Sequence, residues 1–162
     1  MHHIVFRIVS ACLAMSLMWV TSRTRADDGS PSRLLSGQPA ATARASGRFY
    51  DGRGGYAGRA SASSDSVRLY DSRGGYAGRV VPSDSGTRVY DARGAYAGRT
   101  QSSGNQTRFY DAQGRYAGRS EASSSGVRYY DARGAYAGKA VTSGGTTRYY
   151  DAQGRYLGTQ RK

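Results

Sequence analysis

Six arginines, Arg48, Arg68, Arg88, Arg108, Arg128 and Arg148, recur at an unvarying interval of 20 residues. Each is followed two places later by a tyrosine (Tyr50, Tyr70, Tyr90, Tyr110, Tyr130, Tyr150) and eight places later by another (Tyr56, Tyr76, Tyr96, Tyr116, Tyr136, Tyr156). A guanidinium presents a planar fork of donors that matches carboxylate, sulfate or phosphate oxygens. A phenol ring presents a face on which a cation or a sugar can lie. Six such sets in parallel rows make a candidate ligand face whose individually weak contacts add through multivalency. The same residues also admit a purely structural reading, in which tyrosine stacks on tyrosine to hold a ladder and the arginine stems lie along it with their charge solvated.

Other chemistry is poorly provided for. Beyond residue 26 the chain has no Cys, His, Trp, Met or Ile. That leaves no Ser–His or Cys–His nucleophile pair and no zinc set of the usual kind. Glu121 is the one glutamate, and six of the eleven acidic residues, Asp51, Asp71, Asp91, Asp111, Asp131 and Asp151, hold the same place in each repeat. A regular place of that kind suits turn formation better than a differentiated pair of catalytic carboxylates. The expectation is a protein that is not an enzyme and uses no cofactor and no metal.

The ends and the charge suggest a setting. "MHHIVFR" is a short basic lead, "IVSACLAMSLMWV" an apolar run and "TSRTRA" a small-residue exit, which together read as a secretory signal cleaved after Ala26. The apolar run is too short for a retained transmembrane anchor. The stretch "VSAC" offers a lipoprotein alternative, with Cys12 acylated. Residues 27–47 are rich in Ser, Ala, Gly and Pro and read as a disordered linker. With the three leader arginines set aside, 21 basic residues face 11 acidic ones, and arginine outnumbers lysine 19 to 2. Export directs so basic a chain toward anionic polysaccharide, lipopolysaccharide or another envelope component, and away from nucleic acid.

The elements that must position the arginines and tyrosines are legible in the period. A repeat of 20 residues without an insertion, over residues 48–162, is the mark of a stacked repeat architecture. Within each unit, Asp followed three places later by Gly, as in Asp111 and Gly114, suits a type I turn closed by a left-handed glycine. On that register Tyr110 faces Tyr116, Phe109 faces Ala117 and Arg108 faces Gly118. Strand alternation then puts Arg108, Tyr110, Tyr116 and Gly118 on one face, and Phe109, Asp111, Arg115, Ala117 and Arg119 on the other. An isolated hairpin is marginal, so the six must pair. The predicted fold is all-β: six tandem hairpins, about twelve strands, forming a meander or short β-solenoid. Open terminal strands would allow self-association, which the polar end Thr159, Gln160, Arg161 and Lys162 discourages.

The phrase "YDAQGRY", at 110–116 and again at 150–156, resembles the YD repeat of Rhs-type bacterial surface and toxin proteins. The Tyr-Asp pair with Gly three residues after the Asp fits all six units, whereas the Arg after that Gly occurs only at Arg115 and Arg155. The resemblance implies β-hairpins and a secreted setting; in that family, arrays of such repeats form shells around a cargo domain. The functional expectation is a secreted or periplasmic, non-catalytic interaction protein presenting Arg/Tyr rows to anionic glycans. The alternative is a structural or self-assembling scaffold without a small ligand.

Overall fold

The computed structural model describes residues 46–162. The leader, its expected cleavage after Ala26, Cys12 and all but the last two residues of the linker lie outside them. The described residues form twelve strands in six hairpins: β1 (Gly47–Asp51) with β2 (Tyr56–Ala62), β3 (Val67–Asp71) with β4 (Tyr76–Ser83), and β5 (Gly86–Asp91) with β6 (Tyr96–Ser103). The second half continues with β7 (Gln106–Asp111) and β8 (Tyr116–Ser123), β9 (Gly126–Asp131) and β10 (Tyr136–Ser143), and β11 (Thr146–Asp151) and β12 (Tyr156–Arg161).

Each hairpin turns as its sequence predicts. In the first, Gly54 N–H donates to Asp51 O at 3.0 Å and Gly54 sits at φ 82°, the left-handed region that glycine enters without penalty. The aspartate side chain completes the turn: Asp51 Oδ1 accepts from the N–H groups of Arg53 and Gly55 at 2.9 and 2.7 Å. The same two bonds recur at Asp71, Asp91, Asp111, Asp131 and Asp151. This explains why a short acceptor is repeated there.

The sheet is neither a meander with free edges nor a solenoid. β1 pairs with β12, from Arg48–Arg161 to Asp51–Gly158, and closes the twelve strands into an antiparallel barrel. Closure follows from the register. Gly47 faces Ala60 and Ala60 faces Leu69, which lies two places beyond Val67, the counterpart of Gly47. Every repeat therefore advances the ladder by two residues, and six repeats bring the stagger to the number of strands. At that ratio the strands tilt by about 36° to the axis, as in eight-stranded barrels with equal strand number and shear.

The register within each hairpin also departs from plain alternation. Tyr50 faces Tyr56, as expected, but Phe49 faces Gly58 and Arg48 faces Arg59, because Ala57 is an extra residue bulged into the strand. Every hairpin repeats this bulge. Phe109 therefore pairs with Gly118 rather than Ala117, and Arg108 with Arg119 rather than Gly118. The bulge turns Gly118 inward and Arg119 outward, the reverse of the alternation.

The inward residues form stacked layers. One layer takes Phe49, Leu69, Val89, Phe109, Tyr129 and Tyr149 from the odd strands, all at most 3% exposed. Another takes Ala60, Val80, Thr100, Ser120, Ala140 and Gln160 from the even strands, and these are also buried. Side chains thus fill the barrel. Phe49, Leu69 and Val89 belong to one apolar cluster and Phe109, Tyr129 and Tyr149 to a second. On β5 to β8, where the strands of one cluster meet those of the other, lie the buried Thr87, Thr100, Thr107 and Ser120, with Thr87 Oγ1 and Thr100 Oγ1 hydrogen-bonded at 2.9 Å.

The departures from the repeat gather at the β1–β12 seam. Gly47 stands where other units have Val or Thr, and a Cβ there would lie 2.9 Å from Arg161 O and 3.0 Å from Gln160 Nε2. Its smallness admits Gln160, which replaces the small residue of the other even strands and accepts a hydrogen bond from Tyr149 Oη at 3.1 Å.

Candidate functional site

The tyrosines and arginines singled out from the sequence come together on the outer wall. Arg48, Arg68, Arg88, Arg108, Arg128 and Arg148 are all exposed. Each hairpin pairs its own two tyrosines edge to face: Tyr50–Tyr56, Tyr70–Tyr76, Tyr90–Tyr96, Tyr110–Tyr116, Tyr130–Tyr136 and Tyr150–Tyr156, with ring centroids 5.9 to 6.2 Å apart. Such pairs contribute roughly 0.5–1.5 kcal/mol beyond their buried area. The first tyrosine of each pair is half-buried and the second is about 40% exposed.

A second set of cations joins them because of the bulge. Arg59 lies over Tyr70 at 4.5 Å, Arg79 over Tyr90 and Arg99 over Tyr110 at 4.8 Å, and Arg119 over Tyr130 at 4.4 Å. Lys139 reaches Tyr150 at 5.6 Å. Each cation belongs to one repeat and its tyrosine to the next, so the contacts fasten neighbouring hairpins at about 0.5–1 kcal/mol apiece. The last repeat has Thr159 at this place, and Arg161 instead covers Tyr50 at 5.0 Å, carrying the belt across the seam. Plain alternation hid this set on the opposite face. The signal that exposes it is the glycine two places after the second tyrosine of every unit, since glycine inside a strand marks a bulge or a close backbone approach.

On the outer wall the pairing arranges these residues in bands across the strands. Arg88 faces Arg99, Arg99 faces Tyr110 and Tyr110 faces Tyr116; Arg108, Arg119, Tyr130 and Tyr136 repeat the order one hairpin on. Two guanidinium groups are thereby followed by two phenols. Among the described residues none of the six opening arginines is in an ion pair, although Glu121 stands across from Arg128 in the ladder; the ion pairs there are Arg115–Asp111, Arg119–Glu121 and Arg155–Asp151. A shallow groove of about 480 Å³ lies over one unit, lined by Gln106, Arg108, Tyr110, Tyr116 and Arg119.

The turn aspartates have a structural role. Asp111 is fully buried, with Arg115 Nε donating to its Oδ2 at 2.8 Å and Arg115 Nη2 to Gln113 Oε1 at 3.3 Å; Asp151, Arg155 and Gln153 repeat the arrangement. This accounts for Gln before the turn glycine accompanying Arg after it. Burial pushes these carboxyls up, but the N–H, guanidinium and charge of Arg115 or Arg155, with the N–H of Gln113 or Gln153, leave both below the ordinary carboxylate value. The stability gained is therefore full above the unfolded pKa, near 4, and is lost as pH falls through the lower folded value. Urea unfolding midpoints should be higher in the parent than in the double variant Arg115→Ala/Arg155→Ala at neutral pH and should fall more steeply in the parent below pH ~4, the two curves converging once both carboxyls are protonated.

No family model, curated protein or solved structure matches the chain.

Proposed function

We propose that this is a secreted or periplasmic, non-catalytic interaction protein that binds anionic glycans of the envelope or extracellular space through its outward Arg/Tyr belt. One observation carries this reading: six exposed arginines in no ion pair among the described residues stand beside six exposed tyrosines at repeating positions of a closed barrel. Arginine supplies two-point contacts to uronate, sulfate or phosphate, and the neighbouring phenol supplies a face for the sugar. Charge along the outer wall makes the barrel a poor fit to lipid, where each outward arginine is costly. The leader read as an export signal and the resemblance to YD repeats point to the same setting.

Replacing all six opening arginines by Gln should weaken binding to an acidic polysaccharide or lipopolysaccharide by about 100-fold, taking roughly 0.5 kcal/mol for each exposed ion pair. Parent binding should fall steeply as salt rises. Circular dichroism should be unchanged, since none of the six is among the arginines stacked on tyrosine. Those stacks favour a second reading, in which the belt is a scaffold that binds nothing. A folded six-fold variant that binds as tightly as the parent would leave that reading in place.

A further inference from the structure

Closure changes the shape that the six arginines offer. On an open sheet they make a row that can lie against a flat surface; on the closed barrel they make a ring, each repeat turned one sixth of a revolution from the last. Twelve strands spaced ~4.8 Å apart and tilted by ~36° give a backbone radius of ~11 Å and place the guanidinium groups at ~17 Å from the axis. A plane that touches two neighbouring repeats then leaves the next two ~15 Å farther away, well beyond the ~8 Å screening length at physiological salt. A flat anionic surface can therefore engage two repeats at a time. A flexible linear chain that runs around the barrel, across the strands, can engage all six.

The bands cross this course obliquely, climbing two residues along the strands with each repeat. From Arg88 through Arg99 to Tyr110 and Tyr116, each step passes to the next strand, so the band runs more around the barrel than along it. At the seam Arg161, Arg48 and Arg59 face one another on β12, β1 and β2. Three like charges on adjacent strands are mutually unfavourable without a counter-charge, and none of the three has an acidic partner among the described residues. A passing polyanion meets its densest positive charge there, at the join of the ring, and continues onto the belt on both sides.

Resting on the glycan-binding reading above, we infer that the ligand is a linear anionic polysaccharide wrapped around the barrel, and not a planar anionic surface. The probes are size-fractionated heparin oligosaccharides of ~20 to more than 100 Å, and phosphatidylcholine vesicles containing phosphatidylglycerol, each titrated against the purified protein at several salt concentrations. The dependence of log K on log salt counts the cationic contacts made. It should steepen with chain length until the chain is long enough to encircle the ring, ~100 Å, and should stay shallower for vesicles than for the longest chains.

Two triple variants provide the second measurement. Arg48, Arg68 and Arg88→Gln leaves two of the six neighbouring arginine pairs, whereas Arg48, Arg88 and Arg128→Gln leaves none. A wrapped chain loses three contacts in either case, so the two variants should weaken long-chain binding to within about two-fold of one another. A planar ligand would keep two intact arginine pairs in the contiguous variant and none in the alternating one, so the slope of its log K against log salt should fall only slightly in the first and by about half in the second. Affinity that stops rising once the chain spans two repeats, a steeper salt dependence for vesicles, or that divergence between the triples overturns wrapping while leaving glycan binding intact. Absence of binding at every chain length overturns the glycan reading itself, and the inference with it.

Discussion

Gly118→Ala is expected to destabilise the barrel by about 3–5 kcal/mol, more than substitution at any turn glycine. Gly118 sits at φ 143° in the bulge, and a Cβ built there would lie 2.4 Å from Tyr130 O and 3.3 Å from the Asp131 carbonyl carbon. The conformation alone costs about 1–3 kcal/mol for a non-glycine residue. The contact adds a comparable amount, because the obstacle is backbone of the neighbouring hairpin and no rotamer change relieves it. Gly94 in a turn has φ 82° with nothing within 4 Å of a built Cβ. Gly94→Val therefore meets only the dihedral penalty, though a β-branched residue feels that penalty fully. Urea unfolding of the two variants beside the parent should rank Gly118→Ala well below Gly94→Val. Equal stability of Gly118→Ala and parent would show that the bulge register is wrong.

The contrast between these two glycines marks what was legible in the sequence. Turns are local: an aspartate and a glycine three places apart determine one hydrogen-bonded loop, so the hairpins and the facing tyrosine pairs followed from the sequence alone. The bulge is only half local. Ala117 and Gly118 look like two more alternating positions until the approach of Tyr130 O, from a different repeat, gives the glycine its reason. One extra residue reversed the faces of all that followed it in the strand, which is why Arg59, Arg79, Arg99, Arg119 and Lys139 were placed away from the tyrosines they cover. Closure is wholly non-local, being the accumulation of a two-residue stagger over six units. Its one trace in the sequence was the set of irregular residues in the first and last repeats, Gly47, Thr159, Gln160 and Arg161, which look like decay of the pattern and are instead fitted to one another across the seam.

Removal of the sixth hairpin, by ending the chain at Ser143, is expected to abolish the monomeric native state. The deletion takes away β11 and β12, leaving β1 and β10 as bare edges with unpaired backbone groups, a ready template for pairing with other chains. It also uncovers the second apolar cluster, from which Tyr149 and Leu157 are lost. Five hairpins cannot simply reclose, because Gly47 is shaped for Gln160, and Tyr50 would lose the guanidinium of Arg161. A ten-stranded barrel would moreover crowd inward layers sized for twelve strands. Size-exclusion chromatography with light scattering should find concentration-dependent oligomers and no cooperative thermal transition. A complementary rearrangement keeps every strand: a circular permutant that begins at Ser85, joins residue 162 to residue 46 by a short Gly/Ser linker, and ends at Asp84 retains all twelve strands and the seam. It should fold as a monomer, because β1 and β12 are already neighbours and the new ends fall in an exposed loop. A cooperatively melting, monomeric five-hairpin chain would show that neither closure by β12 nor the fitted seam is needed for the fold, whereas loss of the truncated monomer with survival of the permutant assigns the stability of the repeats to their being closed.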